Sequence, residues 1–428
     1  MRSKVCISIV VMIFLSTCRR VSQSKEFDVV IVGGGLSGLA AASQLKDYRV
    51  AILEKSDRLG GRLFTQTWHG GNYELGALFG YDASVLPFPV AQSKFFASEK
   101  NMGLRYANQT FACKHVLDCI SQAKLSQADQ MNATSWLSDP SLSTHQLHLR
   151  SYKILNAFYR TIHSGEMKDY IKMDHGLTFQ KISFGRFSAG NQELTDALRA
   201  QSQAFVRLGN EVLSVVDAHG MVKIGIRTPD GDEEIYARQI ICATDAEIAQ
   251  RILKIKSKAS EKFLNSVRYK GGISVVLGVR RDPFPGMAYV VNPDSSAHVI
   301  FKFKNDEVVV LTVYYGEKEK VPLMQMSKNE IISVTLKNLK HYGVQILTEE
   351  LVFSDAKIWD KIEPVFSKDS FDSWDSASLE PSPHVYLAGD YTHTEGKYPM
   401  PYGMSAAILS GLKASRHTLK QLRAEYIR

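Results

Sequence analysis

Cysteine is scarce in this chain. Five occur in 428 residues, with no CxxC pair and no cysteine–histidine cluster, so no metal site is indicated. Basic blocks are missing too. Lys and Arg number 52 against 44 Asp and Glu, a net +8, yet no run of five or more basic residues occurs. Nucleic-acid binding is therefore not supported, while attraction to an anionic surface, including a peripheral membrane contact, stays open. No stretch has the roughly 20 apolar residues that a comfortable bilayer span needs, and no repeat or low-complexity tract is evident. What is present is ordinary: 44% hydrophobic and 22% charged residues. At about 150 residues per domain the length predicts two or three domains, enough to bury a core without disulfides or metals.

The N-terminus has a basic start at Arg2 and Lys4, an apolar run from Val5 to Leu15, and the small residues Ser16, Thr17 and Cys18. This is the pattern of a secretory signal, expected over residues 1–24 with cleavage after Cys18 or Ser24. It predicts a secreted or exported protein. The alternative is a membrane anchor through the N-terminal segment, kept open by Arg19 and Arg20; Leu15-Ser16-Thr17-Cys18 also resembles a lipoprotein box with a poor residue at Thr17. Cys6 and Cys18 fall in the leader. Cys113 and Cys119 could pair in an oxidising compartment, although spacing alone does not show it, and Cys242 remains. Asn108-Gln109-Thr110 and Asn132-Ala133-Thr134 are glycosylation sequons, which matter only in a eukaryotic host.

After the leader, Phe27 to Val32 is a short β-branched run that reads as a buried parallel strand. It enters Gly33-Gly34-Gly35-Leu36-Ser37-Gly38, a GxGxxG fingerprint. Gly33 permits the tight turn, Gly35 lets a pyrophosphate approach the backbone, and Gly38 lets the following helix, Leu36 to Leu45, pack on the strand. A second strand, Arg49 to Leu53, ends at Glu54, 21 residues after Gly33. That spacing suits a carboxylate for ribose hydroxyls. Placed between strand and helix with this acid, the motif is strong evidence for a dinucleotide site.

Three separated motifs choose among dinucleotides: Asp57-Arg58-Leu59-Gly60-Gly61-Arg62 leading to Glu74-Leu75-Gly76-Ala77, then His384 to Asp390, then Met404 to Gly411. Together they resemble the flavin-containing amine oxidase superfamily, which includes monoamine and polyamine oxidases, renalase, protoporphyrinogen oxidase and phytoene desaturases. Weaker likenesses lie at Ser188 to Leu194, Gly209 to Val212, Gln239 to Thr244 and Trp359 to Pro364. The resemblance implies an α/β fold: a discontinuous, glutathione-reductase-like Rossmann domain over 26–90, 186–271 and 352–428, with an α+β substrate domain over 91–185 and 272–351. It implies FAD as cofactor. Gly33, Gly35 and Gly38 would hold the pyrophosphate and Glu54 the adenosine ribose. Gly61 and Arg62 would lie along the cofactor, and Ala77 and Leu78 would present backbone to the isoalloxazine. Val212 would meet the adenine through its main chain, Gly389 and Asp390 the ribityl–pyrophosphate region, and Met404 the flavin edge.

The same resemblance implies hydride transfer from a C–H bond, beside an amine nitrogen, to the flavin, with dioxygen or another acceptor regenerating it. The alternatives are a desaturase or dehydrogenase of a polyene, tetrapyrrole or prenyl thioether, and a non-catalytic flavin-binding module. Tyr398 and Tyr402 are the candidate aromatic wall for a small-molecule substrate, although Gly403 takes the place of the tyrosine of monoamine oxidases. Leu277 falls where many relatives carry a flavin-linked lysine, with Lys270 and Lys397 as substitutes. His69 and His393 are candidates for proton handling and Asp82 for a cationic amine. The stretch Leu78 to Pro87 holds no arginine where the related L-amino acid oxidases carry one for the substrate carboxylate, which disfavours a free amino acid as substrate.

Overall fold

The computed structural model describes residues 25–78, 95–97, 101–139, 142–161, 166–169, 185–218, 220–254, 256–297, 299–304, 307–365, 367–392 and 403–427. Tyr398, Tyr402, Lys397, His393, Asp82 and the leader lie outside them.

One sheet carries the glycine motif. Its strands are β1 (Glu26–Val32), β2 (Val50–Leu53), β3 (Phe205–Arg207), β4 (Glu211–Ala218), β5 (Met221–Thr228), β6 (Gly231–Cys242) and β7 (Val385–Leu387). The order is β4-β5-β6-β1-β2-β3, and β7 pairs with β6 beyond β5. β3, β2, β1, β6 and β7 run parallel, whereas β4, β5 and the start of β6 form an antiparallel meander. Parallel strands are covered on both faces, so they read as continuous apolar runs. Val29, Val30 and Ile31 are fully buried. Helix α1 (Leu36–Ala42) and the long C-terminal helix Gly403–Ile427 pack together against this sheet. Their contact is close: a Cβ on Gly411 would lie 2.1 Å from the Ser37 carbonyl oxygen.

The second sheet is antiparallel apart from one pairing. Its order is Leu351–Val365, Arg268–Val279, Val309–Tyr315, Val299–Lys304, Met287–Val291, Asn101–Tyr106 and Gln109–Cys113. Met287–Val291 and Asn101–Tyr106 run parallel. Period-2 alternation divides its side chains between two cores. Ile273, Val275 and Leu277 face helices Glu317–Leu323 and Lys328–Leu339. Val276, Val310 and Phe301 face an aromatic core with helices Val116–Gln122, Gln127–Ser138 and Leu149–Tyr159. The strand Leu351–Val365 pairs with Arg268–Val279 almost end to end. Residues 268–271 and 352–365 therefore pair within the second sheet. The signal for that is non-local pairing, which no short motif carries.

Cys113 and Cys119 form a disulfide that ties the edge strand to helix Val116–Gln122. Cys242 is a free thiol at the buried end of β6, and burial pushes its pKa up to about 11, which keeps it protonated and unreactive.

Candidate functional site

A cavity of about 600 Å³ opens where β1 and β2 end, within the range of cofactor and ligand sites. It is lined by Gly33, Gly35, Glu54, Gly61, Arg62, Ala77, Val212, Gly389, Asp390 and Met404, residues drawn from stretches more than 300 positions apart. Gly38 and Leu78 are not in the lining.

The three motif glycines do different work. Gly33 has φ +107, and a Cβ there would meet the Ala243 carbonyl oxygen at 2.7 Å. Gly38 packs the helix onto the turn, since its Cβ would sit 2.1 Å from the Gly33 oxygen. Gly35 has an ordinary φ of −75°, and a Cβ would meet nothing within 4 Å. Its missing side chain keeps space free in the cavity, at the first turn of α1, where backbone N–H groups lack intrahelical partners. Gly60 donates its N–H to the Gly34 oxygen at 2.9 Å, which lays the second glycine loop against the first.

Glu54 shapes this loop while lining the cavity. Its Oε2 accepts from Gly34 N at 2.7 Å, and its Oε1 accepts from Ser56 N at 2.8 Å and Ser56 Oγ at 2.7 Å. A carboxylate offers about four acceptor sites, so capacity remains for a ribose hydroxyl. Asn210 N donates to the Glu54 carbonyl at 2.8 Å, which brings Val212 to the same end of the cavity.

Arg62 donates from Nη2 to Asp390 Oδ1 at 2.7 Å and from Nη1 to the Ile362 carbonyl at 2.7 Å. Burial alone would lower the guanidinium pKa, but the Asp390 carboxylate outweighs it and raises it. This pair joins the second glycine loop to the turn after β7. Close by, the Tyr269 hydroxyl accepts from Ala246 N at 2.9 Å, and burial drives its pKa well above the usual tyrosine value. The cavity wall thus carries a guanidinium–carboxylate pair and a neutral phenol.

Backbone carbonyls 75–78 are each held by a distant side chain. Trp359 Nε1 donates to Leu75 O at 2.7 Å, and Tyr314 OH to Gly76 O at 2.9 Å. The Asn191 carboxamide donates to both Ala77 O and Leu78 O at 2.9 Å. Leu78 itself is buried in the aromatic core and Ala77 alone of the two faces the cavity. Asn191, Tyr314 and Trp359 had no assigned role from sequence; the segments of Asn191 and Trp359 resembled the family, without a partner for the side chains, and Tyr314 lay in a stretch that read only as a strand.

Other candidates sit elsewhere. Leu277 is fully buried in the core that the second sheet shares with helices Glu317–Leu323 and Lys328–Leu339, and it does not line the cavity. Lys270 Nζ lies 3.1 Å from Asp169 Oδ2. His69 is exposed in the turn between strands Thr65–Trp68 and Gly71–Glu74.

The sequence matches the family described as "Flavin containing amine oxidoreductase" over residues 92–419, and an "NAD(P)-binding Rossmann-like domain" over residues 31–83. The chain belongs to the flavin-containing amine oxidoreductase family. It is therefore a flavoprotein, with FAD as its cofactor, and the empty space above Gly35, the Arg62–Asp390 pair and the free capacity of Glu54 fit that group. Among curated relatives, nicotine dehydrogenase of Pseudomonas putida is 47% identical over 53 residues, 12% of this chain and 11% of that protein. Polyamine oxidase 1 of Oryza sativa is 32% identical over 113 residues, 25% and 22% of the two chains. The matches thus span under a quarter of those relatives. A redesigned putrescine oxidase shares the fold with a TM-score of 0.74 at 16% identity, over 92% of this chain and 99% of that one.

Proposed function

We propose that this flavoprotein is an amine-oxidase-type oxidoreductase that removes hydride from a C–H bond next to an amine nitrogen of a small molecule, and that it works outside the cytoplasm. The carrying observation is the single cavity that unites the glycine turn, Glu54, the Arg62–Asp390 pair, Ala77 and Met404. Bound FAD supplies the hydride acceptor.

The chain's own residues do the rest. Gly33 and Gly35 admit the pyrophosphate, Arg62 offsets its charge, and Glu54 takes ribose hydroxyls. Val212 backs the adenine, and Gly389 and Asp390 the ribityl chain. Ala77 and Met404 flank the flavin. The carbonyl clamp on residues 75–78 fixes the wall that faces the substrate. Tyr398 and Tyr402 are the proposed aromatic wall, an environment that favours the neutral amine by disfavouring the ammonium. Export is supported by the leader pattern and by the buried Cys113–Cys119 bridge, since disulfides persist in oxidising compartments.

Anaerobic mixing of the yellow holoprotein with panels of amines, prenyl thioethers and polyenes tests the reading. Loss of flavin absorbance with amines is expected. Bleaching by polyenes or thioethers alone would replace the amine, and a flavin that no panel member bleaches would leave a binding module.

A further inference from the structure

The two sequons are treated oppositely by the fold. Asn108 stands at the apex of the hairpin formed by Asn101–Tyr106 and Gln109–Cys113. Tyr106 pairs with Gln109, so Ala107 and Asn108 alone make the turn. Both have left-handed backbone, with φ 47° and 64°. Two consecutive positive φ values characterise the two-residue turn that matches the twist of paired strands, and asparagine is among the few residues that tolerate it. Residues 107–109 are exposed, and the hairpin closes the outer edge of the second sheet. No residue of the hairpin lines the cavity.

Asn132 lies within helix Gln127–Ser138 and is half-buried. Both ends of its carboxamide are used: Nδ2 donates to the Gln146 carbonyl at 2.9 Å, and Oδ1 accepts from His148 N at 2.7 Å. These bonds dock the segment that starts the next helix, Leu149–Tyr159. A sugar on that nitrogen would have to leave through the face this segment covers.

We propose that Asn108 is an acceptor for an N-linked oligosaccharide and that Asn132 in the folded protein is not. In the transfer, Asn108 Nδ2 bonds to C1 of a lipid-diphosphate-linked oligosaccharide. The C1–O bond to the diphosphate breaks, the diphosphate leaves with the electron pair, and the amide loses one proton. Asn108 keeps one N–H and its oxygen, and the sugar extends into solvent from the hairpin tip. The inference rests on the export reading, because a cytosolic chain never meets the donor.

The test is made independent of the chain's own leader. Residues 25–428 are secreted from a eukaryotic host behind a foreign signal peptide, and the flavin-loaded product is weighed intact before and after endoglycosidase treatment. One glycan is expected. Asn108→Gln should lose it while keeping its FAD; Asn132→Gln should keep it and unfold at lower denaturant, as two docking bonds are gone. Sugar-free secreted protein, a glycan that survives Asn108→Gln, or occupancy of Asn132 in the folded fraction would each overturn the proposal. A parallel run with the native leader reports on export alone.

Discussion

Two glycines three residues apart make the dinucleotide turn open to experiment. The GxGxxG pattern states that both must be glycine, and their surroundings say why the reasons differ. Gly35 has ordinary backbone angles and open space at its Cβ position, so Gly35→Val should fold with a loss of no more than about 1 kcal/mol, the cost of a branched residue at a helix N-cap, and lose FAD. Gly38→Ala places a methyl 2.1 Å from the Gly33 oxygen, and should lose about 1–3 kcal/mol, as overpacked sites do. Denaturant unfolding of the flavin-free proteins, read beside the flavin absorbance of purified samples, separates the cases. Equal destabilisation of both variants would mean that Gly35 serves packing. Glu54 combines the two roles. Glu54→Ala should weaken FAD by about 1.5–3 kcal/mol, the worth of charge-assisted hydrogen bonds, and should also loosen the loop through Gly34 and Ser56. Such residues were legible in sequence because strand, turn and helix are contiguous.

Elements that meet across the chain were less legible. The segment 75–78 was recognisable by its motif, but its fixing side chains lie at positions 191, 314 and 359: Asn191 comes from the start of helix Gln192–Ala200, and Tyr314 and Trp359 from strands of the second sheet. Asn191→Ala strips the bonds from two carbonyls, one of them beside the cavity. At about 1–3 kcal/mol for each stranded acceptor, the fold should weaken by about 2–6 kcal/mol. The retained flavin should show a shifted visible spectrum, and an unchanged spectrum would confine Asn191 to packing. A second junction responds to pH. Asp355 accepts from Tyr73 OH at 2.8 Å and pairs with Lys328 at 2.5 Å. Burial alone would raise its pKa, but these partners outweigh it and hold it below the ordinary carboxylate value. Its contribution is therefore complete above the unfolded-state value, near pH 4, and is lost as pH falls through the lowered folded value. Melting temperatures between about pH 6 and pH 2 should fall more steeply for the parent than for Asp355→Asn.

At the scale of the whole molecule, cysteine accounting joins the leader, the fold and the compartment in one measurement. The chain holds five cysteines. Cys6 and Cys18 precede both expected cleavage points, Cys113 and Cys119 are bonded to each other, and Cys242 is a buried free thiol. Exported, processed protein should therefore show no thiol reactive in the native state and one after denaturation without reductant. A retained leader adds Cys6 and Cys18, giving three, and a reduced processed chain also gives three, so the count is read beside the N-terminal sequence. The bridge closes a short loop, for which chain entropy predicts about 2 kcal/mol of stabilisation. Neither of its cysteines lines the cavity. Reduction should accordingly lower the unfolding midpoint while leaving the flavin bound. Release of flavin on reduction would mean that the edge strand and helix Val116–Gln122 help to hold the site, through the aromatic core that they share with Leu75 and Leu78.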